Sequence, residues 1–283
     1  MSTSIFDRYS ILYKFDGAII AQTPLRIGKG SGYKVIEPDL PVIKNSLDVP
    51  IIPGSSIKGF FRANATRLLM NLLSKEKVES LIKEIFGGTE ENEHSSSILF
   101  SDMPAKSYKI ENRKHIRIDP EKGSVVRGAL FEIECVMDGA VFEGTFATIR
   151  NLSPIYMSIL TPITELASLG ICRLGGFKSR GYGHVKFEFK KMTITLPGIK
   201  PENLANGAKI EPTIPTERPQ AGVFIQAKNG NIKLKEIQEI TFSGRVEPSV
   251  QYFGTSIIVE GDEINRLMVE LVKQLQKALE KTS

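Results

Sequence analysis

Thirteen residues near the middle of the chain, Arg173-Leu-Gly-Gly-Phe-Lys-Ser-Arg-Gly-Tyr-Gly-His-Val185, constrain its folding more than any other stretch. Four of them are glycine, so the backbone can take φ > 0 and let other backbone come close. The stretch runs into Val185-Lys-Phe-Glu-Phe189, whose alternation predicts a half-buried strand. Successive N–H groups in such a turn can form an anion-binding concavity. Lys178 and Arg180 would add phosphate-seeking charge there, with the Ser179 hydroxyl between them. A long turn with merely solvated cations would use the same residues. The glycines do not fall as G-x-G-x-x-G, and no G-x-x-x-x-G-K-[ST] occurs, so neither nucleotide fingerprint is present.

Charge is the next constraint. The 283 residues carry a formal net charge of +5, which is compatible with a nucleic-acid partner but not specific to one. Its distribution says more: residues 106–127 hold seven Lys/Arg against three acids, interleaved with Tyr108, His115 and Ile116. This segment reads either as a nucleic-acid-touching loop or as a solvated charged hairpin. A second glycine turn, Thr23-Pro-Leu-Arg-Ile-Gly-Lys-Gly-Ser-Gly-Tyr33, places Arg26 and Lys29 in another phosphate-friendly setting. The spacings of Cys135, Cys172, His94, His115 and His184 match no metal-ligand pattern. The two thiols are expected free and buried, in a reducing compartment read here as the cytoplasm. No run of 18 apolar residues occurs, and Met1-Ser-Thr-Ser lacks the basic start of a signal peptide.

The expected elements begin with a strand over 9–21 and irregular, proline-broken chain at 38–50. A helix of up to eight turns follows, capped by Ser55 or Ser56 and stopped by Phe86-Gly-Gly88. Its core face is Phe61, Ala65, Leu68, Leu69, Leu72 and Leu73. Lys58 and Arg62, four apart, share one face near its positive end, where an anionic backbone could cross. A polar loop containing His94 leads to a short strand at 98–102 and the basic insertion. A strand over 128–136 joins 141–149 through Asp138-Gly139, a hairpin signal. A second helix covers about 155–170 with Pro162 as a kink, and a strand at 182–195 follows. The order β-α-β…β-β-α-β predicts an α+β fold with a ferredoxin-like (RRM-like) core. Residues 1–196 would form that core, with a thumb-like insertion at about 103–127. Residues 197–283 would form a C-terminal extension of strands and a closing helix. That helix places Ile264, Leu267, Met268, Leu271, Leu275 and Leu279 on one face, to dock a neighbour or to pack back on its own domain.

Taken together, the pieces resemble the repeat-associated (RAMP) superfamily of CRISPR proteins, and more narrowly the backbone subunit of type III (Csm-like) effector complexes. The resemblance rests on Thr23-Pro-Leu-Arg-Ile-Gly28, Asp39-Leu-Pro-Val42, Ile52-Pro-Gly-Ser-Ser-Ile-Lys-Gly-Phe-Phe-Arg62 and Ile85-Phe-Gly87. Ile98-Leu-Phe-Ser-Asp102, Ile118-Asp-Pro-Glu-Lys-Gly123, Gly128-Ala-Leu-Phe-Glu132 and Leu174-Gly-Gly-Phe-Lys-Ser-Arg-Gly-Tyr-Gly183 complete it, in the family's order. It covers about residues 10–190.

The resemblance implies a subunit that polymerises along the CRISPR RNA with copies of itself or paralogues and other type III subunits. A thumb-like hairpin displaces one nucleotide at intervals, and complementary target RNA is cut at those positions. The implied catalytic residue and metal ligand is Asp39, working with Mg²⁺ or a similar divalent ion; Asp48 is a nearby rival. Implied RNA-binding residues are Arg26, Lys29, Lys58, Arg62, Arg113, Lys114, Arg117, Lys178, Ser179 and Arg180. Alternatives are a catalytically silent filament subunit and a CRISPR-RNA-processing endoribonuclease of the same superfamily, which would rely on a histidine.

Overall fold

The computed structural model describes residues 9–30, 38–88, 95–212, 214 and 223–280. The expected loop histidine, His94, and the end of the glycine turn at 23–33 lie outside them. The first part of the chain runs β1 (Leu12–Ala21), β2 (Ile51–Ile52), α1 (Gly54–Leu69), α2 (Lys75–Phe86), β3 (Ile98–Phe100) and β4 (Met103–Ser107). It continues β5 (Ile110–His115), β6 (Phe131–Val136), β7 (Val141–Arg150), α3 (Pro154–Met157), α4 (Leu160–Ser168) and β8 (Val185–Pro197). The C-terminal part adds α5 (Pro201–Ala205), β9 (Phe224–Lys228), β10 (Asn231–Lys235), β11 (Glu239–Ser243), β12 (Arg245–Ser249), β13 (Gly254–Glu260) and α6 (Asp262–Glu280).

The fold is mixed α and β, built on antiparallel pairing. The main sheet runs β12-β13-β8-β1-β7-β4-β2, with β3 also on β7. β1 is central because its apolar residues leave few positions for water: Tyr13, Phe15 and Ile19 are fully buried. α1 lies over this sheet and meets α4. Phe61 packs edge-on to Phe146 and Phe187 at ring separations of 5.4 Å, so aromatic shape fixes where the helix sits. Burying Phe61 alone is worth about 2–3 kcal/mol of transfer free energy.

Several expectations are corrected. The long helix is two helices, α1 and α2, because the chain turns at Met70–Ser74. The turn brings Leu73 and Val78 into one core and leaves Leu72 47% exposed. Neither Ser55 nor Ser56 caps α1, whose first residue is preceded by Pro53. The Gly54 N–H donates instead to the Asp102 carboxylate, 2.8 Å away, so a distant loop does the capping. The second helix is broken into α3 and α4. Proline at 162 offers no N–H to the carbonyl of residue 158, and Thr161 N donates to Ser158 O in a tighter turn. Leu169, at the end of the expected helix, is 72% exposed. β6 does not pair with β7 but with β5, from Ile110↔Val136 to His115↔Phe131, forming a separate ribbon.

The C-terminal part is joined to the first part by hydrogen bonds. β13 pairs with β8 from Gly254↔Pro197 to Glu260↔Lys191. The six apolar residues of α6 named above are all buried, packed back on the same chain. A second tie is Glu236, whose carboxylate accepts from the Ser153 hydroxyl and, at 3.3 Å, from the Ile155 N–H. Burial pushes that carboxyl above its usual range.

Candidate nucleic-acid interface

The two glycine turns lie against each other. Gly183 N donates to Pro24 O at 2.9 Å and Gly176 N to Arg26 O at 2.8 Å. A Cβ at Gly183 (φ +81°) would stand 2.1 Å from the Leu174 carbonyl oxygen, and one at Gly175 (φ +84°) 2.4 Å from that of Arg26. Gly175 and Gly183 therefore serve close backbone packing, and the N–H groups of Gly176 and Gly183 are spent on protein carbonyls rather than offered to an anion. What reaches solvent is the single 3₁₀ turn Lys178–Arg180, with Lys178, Ser179 and Arg180 all exposed.

Phe177 enters that turn in the left-handed region (φ 56°) and gathers cations. The guanidinium of Arg26 lies 5.4 Å from its ring centroid and that of Arg180 5.2 Å. The ribbon β5–β6 arrives from the other side. His115 stacks on Phe131 at 5.6 Å and on Phe177 at 6.1 Å, and its Nε2 is 2.8 Å from the Tyr182 hydroxyl. Arg113 sits 5.9 Å from the Tyr182 ring. Burial pushes the Tyr182 phenol above its usual range. Four rings and three arginines from three separate segments thus share one surface. The sequence pattern marked the arginines and His115 but not Phe131, Phe177 or Tyr182, of which only Phe177 and Tyr182 carry a local signal, an aromatic residue beside glycine.

The loop carrying Asp39 is pinned to β6. Leu40 N donates to Glu132 O, Glu134 N donates to Leu40 O, and the Glu132 N–H donates to Asp39 Oδ2 at 2.9 Å. Buried Glu134 holds the far end, accepting from Val42 N at 2.8 Å and from Lys44 Nζ at 3.0 Å. The rival Asp48 is 87% exposed in a turn, 3.6 Å from Lys44. Arg26 Nε donates to Leu40 O at 3.4 Å, tying this loop to the Phe177 cluster. Burial holds the Arg26 guanidinium below its usual range, and the described residues give it no carboxylate partner. A half-buried cation without an anion is poised to take one.

Beside this cluster lies a cavity of about 590 Å³, lined by Arg26, Leu40, Gly59, Ala63, Arg67 and Lys178 among others. Ser56, Gly59 and Ala63 give α1 a small-residue face there, so a ligand could approach the helix closely. Lys58 and Arg62 do not line it. Arg62 donates to Gly87 O at 2.9 Å and closes the end of α2. Burial and the Arg62 charge hold Lys58 below its usual range. The α1 cation at the cavity is Arg67, which donates to Asn64 Oδ1 at 2.9 Å. It went unnoticed because it falls late in the helix, although Ser56, Gly59, Ala63 and Arg67 follow helical spacing.

The remaining candidates are dispersed. Lys29 is exposed and donates its backbone N–H to Pro41 O. Lys114 pairs with Glu132 at 3.5 Å. Arg117 opens a distal ladder in which Val126 N donates to Arg117 O and Ile118 bridges Val125. That tip exposes Ile116, Ile118, Val125 and Leu130 by more than half.

A family model described as the RAMP superfamily matches residues 18–186, a span that contains every segment of this surface. The chain belongs to the RAMP superfamily. Among curated relatives, it is 27% identical over 203 residues to the "CRISPR system Cms endoribonuclease Csm3" of Streptococcus thermophilus. The match covers 64% of this chain and 89% of that protein. The protein of the same name from Methanocaldococcus jannaschii is 28% identical over 197 residues, covering 62% of this chain and 79% of that one. A chain from the cryo-EM structure of the type III-B Cmr-beta apo state aligns with a TM-score of 0.47 and 17% identity, over 62% of this chain and 96% of that chain. Among the described residues, no group of three or more His, Cys, Asp or Glu could hold a metal by itself.

Proposed function

We propose that this chain is a backbone subunit of a type III CRISPR RNA-guided complex, binding the CRISPR RNA by its sugar–phosphate backbone and cutting complementary target RNA at regular intervals. The observation that carries the reading is the convergence on Arg26: the Phe177 cluster, the pinned Asp39 loop and the base of the β5–β6 ribbon meet there within a RAMP chain. Arginine forks and stacked rings hold a strand without reading its bases, so recognition is independent of sequence. Copies of the chain or paralogues, together with other type III subunits, would share one guide in the cytoplasm. The exposed apolar tip around Ile118 and Val125 would wedge out one nucleotide per subunit. The four strands ordered β8-β1-β7-β4, with α1 and α4, support reading residues 1–196 as a ferredoxin-like core extended by 197–283, with β4 belonging to the core and the insertion expected at about 103–127 starting only after it.

Cutting needs little beyond geometry. If the displaced nucleotide's 2′-hydroxyl attacks the adjacent phosphorus, the P–O bond to the next sugar breaks and that oxygen leaves with a proton. The Glu132 N–H fixes the Asp39 carboxylate, leaving its other oxygen to accept the 2′-hydroxyl proton. Asp39 fits Mg²⁺ only as one ligand of a site completed by water and RNA oxygens, and the ion would neutralise charge on the phosphate. The same hydrogen bond favours a second reading, in which Asp39 merely secures its loop and this copy is a silent clamp.

The test is the complex assembled with guide RNA and labelled complementary RNA, with Mg²⁺ or EDTA, comparing the native chain with Asp39→Asn and Asp39→Ala. Regular, metal-dependent cuts that fall at least 100-fold in both variants, with guide binding intact, establish the slicing role; general-base contributions are about 10²–10⁴-fold. Cuts that persist in Asp39→Asn leave the residue a loop fastener.

A further inference from the structure

The chain beyond residue 186 lies outside the family match, and its three-stranded sheet β11-β10-β9 carries a face the proposed function does not use. Its strands alternate strictly. Ile225, Ala227, Ile232, Leu234, Ile240 and Phe242 are buried on one side. The other side shows Phe224, Gln226 and Lys228 opposite Lys235, Lys233 and Asn231, which in turn stand opposite Glu239, Thr241 and Ser243. Ile210 bridges Ile225, which brings Lys209 onto the same face.

Phe224 organises the cations. The Lys209 ammonium lies 4.4 Å from its ring centroid and that of Lys235 5.8 Å, so two flexible side chains are gathered over one partly exposed ring. The face counts four lysines, at 209, 228, 233 and 235, against Glu211 and Glu239. Glu211 pairs with Lys209 at 2.7 Å and Glu239 with Lys233 at 2.8 Å. Lys228 and Lys235 have no carboxylate partner among the described residues. Lysine, serine and glutamate are poor material for the centre of a protein–protein interface, whereas lysines around an aromatic ring suit a polyanion with bases.

We infer that this face binds the sugar–phosphate backbone of single-stranded RNA without sequence preference, as a second contact apart from the Arg26 surface. The inference rests on the proposed function only in taking RNA as the strand. Guide and target share the chemistry, so each is tested.

The experiment compares the native chain, the triple variant Lys228→Gln/Lys233→Gln/Lys235→Gln and the pair Arg26→Gln/Arg180→Gln. Each is titrated with fluorescent guide RNA and with fluorescent target RNA, alone and in the assembled complex, over a salt series. For whichever strand crosses the sheet, the triple variant lowers the slope of log affinity against log salt by about 1.4, from the two unpaired lysines at about 0.7 per single-strand phosphate contact. Photo-cross-links from 4-thiouridine RNA to residues 224–243 disappear with it. An unchanged slope with both strands and no cross-link there overturns the inference. If the arginine pair alone loses RNA, the proposed function stands and this inference falls; if the triple variant alone loses it, the reverse holds. A triple variant that binds RNA normally but no longer joins the complex assigns the face to an acidic protein partner, which also overturns it.

Discussion

The glycine-rich loop at 173–185 and the basic insertion after β4 are alike in composition yet opposite in construction. Both mix cations, glycine and aromatic or apolar residues. The loop is clamped from below: Pro24 and Arg26 carbonyls take its N–H groups, and Arg26 reaches through to Phe177. The base of the insertion packs on that loop through His115, but its distal ladder is closed by its own turn, with the Asp119 carboxylate accepting from Glu121 N and Lys122 N. The difference teaches that charge alone does not make a binding site rigid. In the loop, burial of the supporting backbone fixes where Arg180 and Arg26 can be. In the insertion, exposed Ile116, Ile118, Val125 and Leu130 contribute little to the folded chain and so remain available for a ligand.

The sharpest way to break this comparison is to add one methyl group in each place. Gly183→Ala combines a positive φ with a Cβ 2.1 Å from Leu174 O, and is expected to cost about 3 kcal/mol or more, the upper end for backbone strain. Gly123→Ala, in the insertion at φ +63° with nothing within 4 Å, is expected to cost only about 1 kcal/mol. Denaturant melts of both variants check this, and equal losses would mean that the two segments are supported alike.

Ligand binding gives the next contrast. Arg26→Gln/Arg180→Gln removes both guanidiniums from Phe177 and should weaken RNA binding at least tenfold at low salt, each lost charged contact being worth about 1 kcal/mol or more. Lys114→Gln/Arg117→Gln should weaken it less than fivefold, because Lys114 already faces Glu132 and Arg117 is held only by the distal ladder. Anisotropy titrations decide, and a larger loss from the second pair would reverse the assignment.

Two smaller effects sharpen the picture. Tyr13→Phe removes a fully buried hydroxyl without a partner among the described residues, and should raise stability by up to about 1 kcal/mol, seen as a higher melting temperature. Ile118→Ser/Val125→Ser at the tip should leave stability within about 0.5 kcal/mol of the native chain, because both side chains already face water. A cooperative loss there would show that the tip packs on the body after all.

Much of the architecture was legible in residue spacing. The strand starting near Val185, the closing helix with Ile264 to Leu279 on one face, and the cations of both glycine turns follow from local periodicity and turn chemistry. The misreadings share one cause, which is competition from distant partners. Helical periodicity runs from Phe61 to Leu73, but nothing local says that the chain turns after Leu69 so that Leu73 and Val78 can enter one core. Alternation marks β6 as a strand, yet its partner is β5 rather than β7, because strand pairing is non-local. Ser55 and Ser56 are sound local caps, and Asp102, 48 residues away, caps α1 instead.

Residue type and near neighbours suffice to say which segments can be strand, helix or turn, and where positive charge lies. Which charges act together is set by long-range packing. It set Arg26 against Phe177 and Leu40, sent Arg62 to the end of α2, and put Lys209 beside Phe224, because those distances are fixed by packing between separate segments rather than by near neighbours.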